Sequence, residues 1–247
     1  MELWGITDSG KVRKHNQDVY KIFSDTDKGI AVMVVCDGMG GANAGHIASQ
    51  MAADEFMSHM CRKIEAMTEI SSMQDIVEMI TDAVISANTA VYNKSLQSES
   101  LSGMGTTLTA AVSTVGGEVV ANVGDSRLYH VTESRISQIT RDHSVVEEMI
   151  ERGEITRNES RKHPSRNLIT RALGTSAYEP PDIFNLNLNC GEYLILCSDG
   201  LTNVVLDSEI QFELINGGNV RMSCEVLVNM ALERGAPDNV TAVILKK

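Results

Sequence analysis

The sequence of 247 residues lacks several features that mark large classes of protein. It has no basic excess, because 33 acidic and 21 basic residues give a formal net charge of −12. That balance argues against a nucleic-acid or anionic-membrane binder. No apolar run approaches the length of a membrane span, and the N-terminal residues lack a basic segment followed by an apolar one. We therefore expect a cytoplasmic protein with no membrane segment.

Closely spaced cysteine pairs, internal repeats and linkers, which would indicate other architectures, are also missing. The five cysteines are scattered and form no C-x-x-C pair, so they do not suggest zinc ligation. Cys36 and Cys197 lie in apolar runs, where a buried reduced thiol is expected. We find no internal repeat, low-complexity tract or linker, and we expect one domain over residues 1–247.

What is present is enough apolar sequence for one substantial core, since 43% of the residues are hydrophobic. Short β-branched runs predict strands at 30–36, 107–115, 118–123, 127–131, 193–197 and 240–247. Apolar residues at steps of three and four predict helices at 43–60, 75–94 and 222–234. The strands occur in groups broken by helix pairs, without regular alternation. This order favours a layered α+β domain over a doubly wound sheet.

Residues 142–171 form a polar segment that carries six basic residues besides its histidines, in an otherwise acidic chain. One interpretation is a solvated insertion. The other is a mobile flap, over about 145–170, that covers a site for an anionic substrate.

The glycine-rich stretch Val34–Gly45 follows an apolar run and raises the question of a phosphate-binding loop. A P-loop requires Lys-Ser or Lys-Thr after its glycines, and none is present here. The dinucleotide-binding pattern also fails, because Asn43 stands where its last glycine is required. Residue identity therefore excludes both phosphate-binding loops.

Four aspartates offer a different chemistry. Each stands beside a predicted strand in a tight polar turn: Asp37, Asp125, Asp199 and Asp238. Hard divalent cations such as Mg²⁺ and Mn²⁺ take carboxylates, waters and an occasional backbone carbonyl as ligands. Several carboxylates gathered without a cation would have raised pKa values and would cost stability, so a cation is the expected partner.

Six short motifs in a fixed order carry a resemblance to a known family. They are Arg13-Lys14-His15-Asn16-Gln17-Asp18, Asp37-Gly38-Met39-Gly40-Gly41, Gly105-Thr106-Thr107, Gly124-Asp125-Ser126-Arg127, Ser198-Asp199-Gly200 and Asp238-Asn239. Together they resemble the motifs of the metal-dependent protein serine/threonine phosphatases, the type 2C family, in its bacterial branch. The resemblance runs from about residue 5 to the last residue.

The resemblance implies a four-layer α-β-β-α sandwich, with two central antiparallel sheets flanked by helix pairs and a metal cluster between the sheets. It assigns one Mn²⁺ or Mg²⁺ ion to Asp37 and the Gly38 carbonyl, and a second to Asp37, Asp199 and Asp238. A weaker third ion would use Asp125 and Asp199.

The resemblance also implies roles in hydrolysis of the phosphate ester. A hydroxide that bridges two divalent ions would attack phosphorus, and paired ions are suited to stabilise both the attacking and the leaving oxygens. Arg13 matches a phosphate-binding arginine, whose planar fork suits two phosphate oxygens. Asp18 matches a carboxylate that orients water, and Gln17 stands where many relatives have glutamate. In the flap, we expect Arg161 to contact substrate residues beside the phosphate.

Met39 departs from the pattern of many eukaryotic members, which have a histidine there that is proposed to protonate the leaving group. Methionine has no proton to donate, and we assign no histidine to that role. We expect a monomer that acts on phosphorylated proteins and opposes a bacterial serine/threonine kinase. The alternatives are a noncatalytic regulatory domain on the same fold and a phosphomonoesterase for small molecules.

Overall fold

The computed structural model describes residues 1–41, 44–67, 72–160 and 162–247, and in these ranges the chain forms two antiparallel sheets covered by helices. The strands are β1 (Glu2–Asp8), β2 (Asp18–Asp25), β3 (Ile30–Met39), β4 (Gly105–Thr106), β5 (Leu108–Thr114), β6 (Gly117–Val123), β7 (Arg127–Val131), β8 (Ile136–Gln138), β9 (Asp182–Leu186), β10 (Tyr193–Cys197) and β11 (Val240–Lys246). The α-helices are α1 (Ala44–Ala66), α2 (Met73–Ser95), α3 (Val145–Glu151), α4 (Arg157–Ser160), α5 (Asp199–Thr202), α6 (Asp207–Asn216) and α7 (Val220–Glu233).

The strand order defines the two sheets. One sheet has the order β1-β11-β10-β7-β8, and the other has the order β2-β3-β5-β6-β9 with β4 paired to the end of β3. Helices α1 and α2 pack on the second sheet, while α6 and α7 cover the first. The expected four-layer α-β-β-α sandwich is confirmed.

The continuous apolar run of β3 is explained by burial on both of its faces. Its even-numbered residues from Ile30 to Cys36 pack in the cluster formed with α1 and α2. Its odd-numbered residues from Ala31 to Val35 pack between the sheets, in a cluster with Leu194 of β10. Because side chains alternate across a strand, a strand between two buried layers needs apolar residues at every position.

The long helices have end groups that satisfy their free backbone atoms. Ser72 precedes α2, and its hydroxyl accepts a hydrogen bond from the Asp75 amide. At the C-terminal end of α1, the Lys28 ammonium donates to the carbonyl of Ile64. A cation at this end also offsets the negative pole of the helix dipole. Lys28 lies in the hairpin between β2 and β3, so it ties α1 to the sheet that it covers.

Several elements differ from the sequence-based predictions. Strand β3 continues past Asp37 to Met39, so Asp37 lies inside a strand and not at its end. The flap segment, residues 145–170, contains two short helices, α3 and α4, which the sequence analysis did not predict. Strands β1 and β2 were not predicted, because their mixed sequences bury few residues fully. Among the described residues, no helix combines the length and the apolar character that crossing a membrane requires.

Candidate functional site

A pocket of about 230 Å³ lies where the four aspartates of the sequence analysis meet. Asp37 comes from β3, Asp125 follows β6, Asp199 begins α5 directly after β10, and Asp238 precedes β11. The residues that line the pocket are Arg13, Gln17, Asp37, Gly38, Met39, Gly40, Thr107, Asp125, Asn167, Ile169, Asp199, Asp238 and Asn239. The structure therefore brings together carboxylates that lie up to 201 positions apart in the chain (238 − 37).

The backbone of Asp37 is held from two sides. Asp18 stands directly opposite it on the neighbouring strand β2. On the other side, the Asp37 amide donates to Oγ1 of Thr107 over 2.9 Å, and the Thr107 amide donates to the Asp37 carbonyl over 2.9 Å. The Thr106 hydroxyl donates to the same carbonyl, also over 2.9 Å. Hydrogen bonds to both the amide and the carbonyl of Asp37 therefore fix its backbone, and this determines where its carboxylate lies.

The glycines after Asp37 and Asp199 are required by close backbone packing. A Cβ atom on Gly38 would lie 2.2 Å from the carbonyl oxygen of Gly45 at the start of α1. A Cβ atom on Gly200 would lie 1.9 Å from the carbonyl oxygen of Asn239. Both distances are far below van der Waals contact, so each Asp-Gly pair marks a point where two segments approach too closely for any side chain.

Asp18 is buried beside Asp37 and has one oxygen fully engaged. Its Oδ2 accepts hydrogen bonds from the hydroxyls of Ser198 and Thr241, each over 2.7 Å. Its Oδ1 is buried and has no hydrogen-bond partner among the described residues. A buried carboxylate oxygen is costly to leave unsatisfied, so this atom is suited to bind water or another polar group at the site.

Burial and mutual repulsion make the charged forms of these carboxylates unfavourable. Burial raises the pKa of Asp37 well above 3.8, and the charges of Asp18 and Asp199 raise it further. Burial, followed by the charge of Asp199, likewise raises the pKa of Asp125 well above 3.8. Burial is also the main reason why the pKa values of Asp18 and Asp199 rise to about 6. A bound cation would offset this repulsion.

The donor set fits a hard divalent cation. Every candidate side chain in the pocket offers oxygen, and the Gly38 carbonyl adjoins Asp37. Within the described ranges, no three acidic, histidine or cysteine side chains are drawn together closely enough to enclose one ion by themselves. Mg²⁺ and Mn²⁺ sites of carboxylates usually keep several water ligands, so one or two carboxylates per ion are sufficient.

Arg13 reaches the same pocket from the loop between β1 and β2. Its guanidinium donates to Oδ2 of Asp238 over 2.7 Å, and 53% of its side chain is exposed. The side chain of Asn239 holds this loop in place. Its Nδ2 donates to the backbone carbonyls of Ser9 and His15, and its Oδ1 accepts from the backbone amide of Gln17. An exposed guanidinium beside a carboxylate cluster is suited to meet an anionic group that enters from solvent.

Histidines do not contribute to this site. All of them lie in the described part of the chain, and none lines the pocket or the adjoining one beneath the flap segment. His143 is buried, its Nδ1 accepts from the Gly124 amide over 3.0 Å, and its Nε2 lies 3.2 Å from Asp182. His143 therefore holds the turn that precedes Asp125.

The C-terminal part of the flap segment forms one wall of the pocket. Asn167 and Ile169 line it, and Arg166 lines the adjoining pocket of about 300 Å³. This wall is fixed to the rest of the protein, because the Thr170 amide donates to the His143 carbonyl over 2.8 Å. Arg161, which we expected to contact substrate, lies outside the described residues.

The sequence analysis gave no site role to several pocket residues, among them Thr107, Asn167 and Ile169. Thr107 belongs to one of the six motifs, which was a usable signal, although no chemistry was attached to it. Asn167 and Ile169 lie in the segment interpreted as a flap. The sequence did not show that this part of the segment faces the pocket, and in the structure the pairing of Ile169 with Ser144 holds it there.

Comparison with known proteins shows that the chain matches one protein family and is similar to many of its members. The family model described as Protein phosphatase 2C matches residues 10–234. The chain is 34% identical over 241 residues to "Serine/threonine phosphatase stp" of Listeria innocua, covering 98% of this chain and 94% of that protein.

Solved structures agree with this similarity. The crystal structure of the serine/threonine phosphatase Stp1 from Staphylococcus aureus superposes with a TM-score of 0.91 at 36% identity, covering 100% of this chain and 94% of that one. The catalytic domain of the serine/threonine protein phosphatase PstP, solved in complex with two manganese ions, superposes with a TM-score of 0.84 at 31% identity. That match covers 98% of this chain and 96% of the PstP chain.

Proposed function

The chain belongs to the protein phosphatase 2C family, and on that premise we propose that its aspartate pocket is where phosphoserine and phosphothreonine in proteins are hydrolysed. The protein is a serine/threonine phosphatase that depends on divalent metal ions. One observation carries the assignment of the site: Asp37, Asp125, Asp199 and Asp238 line a single pocket together with Arg13.

Two core ions, Mn²⁺ or Mg²⁺, are held in this proposal by Asp37, the Gly38 carbonyl, Asp199 and Asp238. A weaker third ion is held by Asp125 and Asp199. The raised pKa values of Asp37 and Asp125 support these assignments, because burial, and then the charge of neighbouring carboxylates, makes their ionised forms unfavourable unless a cation is bound. Bound there, the ions supply Lewis-acid activation of water and offset the charge of the phosphate.

The protein's own groups bind and orient the substrate in this proposal. Arg13 holds two nonbridging phosphate oxygens, for which its planar guanidinium is suited. Asp18 uses its unpartnered Oδ1 to accept a hydrogen bond from water, while its Oδ2 is engaged by Ser198 and Thr241. Met39 lines the pocket and has no proton for the departing alkoxide, so a water molecule at the site or another group must supply that proton.

We base our proposals for the substrates, the oligomeric state and the cellular location on the family, and our proposal for the peptide contact on the position of the flap segment. The substrates are phosphorylated proteins, whose phosphates are added by a serine/threonine kinase. We propose that residues 1–247 form one catalytic domain that works as a monomer in the cytoplasm. Arg161, together with the flap segment, contacts substrate residues beside the phosphate.

The two alternatives from the sequence analysis are not favoured. A noncatalytic regulatory domain has no need of four carboxylates in one pocket, since burial and repulsion raise the pKa of three of them. A phosphomonoesterase for small molecules is not favoured, because the relatives that this chain resembles are named as serine/threonine or protein phosphatases.

The deciding assay is hydrolysis of a phosphothreonine peptide with Mn²⁺, before and after addition of a chelator. We expect turnover that stops with the chelator and returns when excess Mn²⁺ is added. Asp199→Asn is the matched variant, since it keeps the side chain's shape and removes its charge. Turnover that persists in the chelator, or wild-type turnover by Asp199→Asn at limiting metal, would contradict the proposal.

A further inference from the structure

The Gly105-Thr106-Thr107 motif has no part in the chemistry proposed above, yet Thr107 contacts two separate segments of the carboxylate cluster. Its side chain is buried, with 3% of its surface exposed. It lies in the short connection between β4 and β5, and it lines the aspartate pocket. A buried hydroxyl needs partners, and the identity of those partners indicates what the residue does.

The first partner is the backbone of Asp37. The Asp37 amide donates to Oγ1 of Thr107, and the Thr107 amide donates back to the Asp37 carbonyl, each over 2.9 Å. This reciprocal pair leaves the Asp37 peptide little freedom to move relative to Thr107. The carboxylate of Asp37 therefore keeps its place only if Thr107 keeps its own.

The second set of partners flanks Asp125 on both sides. Oγ1 of Thr107 shares a hydrogen bond with the Ser126 hydroxyl over 2.8 Å. The Thr107 methyl faces Gly124, because a Cβ atom on Gly124 would lie 2.5 Å from Cγ2 of Thr107. Gly124 has a φ of +108°, so this turn favours glycine both for its backbone and for the space that Thr107 occupies.

We infer that Thr107 is a positioning residue that couples the metal ions held at Asp37 to the ion held at Asp125. One hydroxyl joins the Asp37 amide to Ser126, and the methyl of the same side chain supports Gly124, so displacement of either carboxylate shifts the other. Coupling between two sites is reciprocal, and each ion then changes the affinity of the other. This inference rests on the proposed ligand roles of Asp37 and Asp125.

A purely structural role makes a different prediction. If Thr107 only filled space and satisfied backbone groups, its loss would lower stability without linking the two sites. The distinguishing quantity is therefore the interaction between a change at Thr107 and a change at Asp125, measured by a double-mutant cycle.

The experiment titrates chelator-stripped full chain with Mn²⁺ in a calorimeter, without substrate. Thr107→Val removes the hydroxyl and keeps the shape, and Thr107→Ser keeps the hydroxyl. Thr114→Val is the matched control, because it removes a buried hydroxyl at the far end of β5 whose partners are Gly116 and Gly117 of its own hairpin and the sulfur of Met73, none of them at the aspartate pocket. Each variant is made with and without Asp125→Asn, and thermal unfolding is recorded for all of them.

We expect Thr107→Val to weaken Mn²⁺ binding by about 10- to 100-fold, the range typical for groups that support metal ligands. Thr107→Ser should bind nearly as the wild type does, and Thr114→Val should lower stability without changing the titration. Asp125→Asn should weaken Mn²⁺ binding at the core pair in the wild-type background and weaken it less in Thr107→Val, where only the coupling through the shared Asp199 remains.

Two results would overturn the inference and can be told apart. If Asp125→Asn changes Mn²⁺ binding equally in both backgrounds, the sites are not coupled through Thr107, although the ligand roles stand. If Asp125→Asn leaves Mn²⁺ binding unchanged while Asp37→Asn abolishes it, the proposed role of Asp125 fails as well. Should Thr107→Val not fold, Ser126→Ala removes the other half of the same hydrogen bond and carries the same expectation.

Discussion

The guanidinium of Arg13 donates a hydrogen bond to Oδ2 of Asp238 over 2.7 Å, across 225 positions of sequence. The residue proposed to hold phosphate is thus already in contact with a residue proposed to hold metal. Asn239, the neighbour of Asp238, also anchors the loop that carries Arg13. Phosphate bound by Arg13 would therefore lie beside the ions that act on it.

Replacement of Arg13 tests this contact. Arg13→Ala should raise both the KM for a phosphopeptide and the inhibition constant of inorganic phosphate by about 10- to 100-fold, since hydrogen bonds to charged groups contribute about 1.5–3 kcal/mol. Arg13→Lys should recover part of the loss, because a point charge remains without the planar fork. Steady-state kinetics measure both constants. If the inhibition constant of inorganic phosphate is unchanged in Arg13→Ala, Arg13 does not bind phosphate and is an ordinary surface residue.

Removal of charge at Asp199 should lower activity and raise the stability of the metal-free protein. Burial, with the charge of Asp238, raises the pKa of Asp199 from 3.8 to about 6. The folded state therefore binds the proton more tightly than the unfolded state does. The associated stability is complete below pH 3.8 and is lost as the pH rises through about 6.

Thermal unfolding in a chelator, from pH 5 to pH 7.5, measures this effect. At pH 7.5 the stripped Asp199→Asn variant should unfold at a higher temperature than the stripped wild type, and the difference should shrink toward pH 5. With Mn²⁺ present, the order should reverse, since the wild type binds the ion more tightly. Equal melting temperatures at pH 7.5 in the chelator would contradict the electrostatic explanation.

His143 should make stability depend on pH in the opposite direction. Burial lowers the pKa of His143 below 6.5, and its Nδ1 accepts the Gly124 amide, which requires an unprotonated nitrogen. Stability from the neutral ring is present above pH 6.5 and is lost as the pH falls through the lower folded-state value. Between pH 7.5 and pH 5, urea unfolding should show a larger loss in the wild type than in His143→Asn. The exposed His46 serves as the control through His46→Gln, which should follow the wild type.

Asn167 should matter for peptides and not for small substrates. It lines the pocket from the flap segment, where a peptide beside the phosphate would pass. Asn167→Ala should raise the KM of a phosphothreonine peptide by about 3- to 10-fold, the value of one neutral hydrogen bond, and leave p-nitrophenyl phosphate nearly unchanged. The exposed flap residue Asn158 gives the control Asn158→Ala. Equal impairment of both substrates would argue against contact with the peptide chain.

Met39 offers a test of leaving-group protonation. An alkoxide from phosphothreonine needs a proton far more than p-nitrophenolate does, and general acids contribute about 10²–10⁴-fold where they act. Met39→His should therefore speed turnover of the peptide, with a new loss of rate at high pH, and should barely affect p-nitrophenyl phosphate. Met39→Gln is a polar control without a titrating proton. A wild-type peptide profile that already shows such a limb, removed by replacing another histidine, would mean that an acid is already present.

Much of the fold was predictable because its core strands bury both faces. The apolar run of β3 and the paired runs of β5 and β6 were located to within a few residues, as were α1, α2 and α7. The edge strands β1 and β2 were missed, since their outer faces need no regular apolar pattern. The continuation of β3 through Asp37 was also missed, because pairing with β4 extends it, and β4 is only two residues long.

The site was predictable to the level of residue type. Asp37, Asp125, Asp199 and Asp238 were selected as oxygen donors in turns, and the structure brings all four to one pocket with Arg13. The sequence analysis attached no role to Thr107, because its function depends on contacts with Asp37 and Ser126 that lie 70 and 19 positions away. The sequence also could not show that Asn167 lines the pocket, because that depends on the pairing of Ser144 with Ile169.

By itself the sequence determined the chemical groups of the site: hard oxygen donors for a cation, one arginine for an anion, and at position 39 a methionine that has no proton to donate. Only the tertiary structure decided that these groups meet, and which backbone contacts hold them. The physical reason is that residue type sets charge and ligand preference locally, whereas convergence depends on strand pairing and loop contacts between residues far apart in the sequence. In this protein the pairing of β2 with β3 aligns Asp18 with Asp37, and a contact between two connections brings Arg13 within 2.7 Å of Asp238.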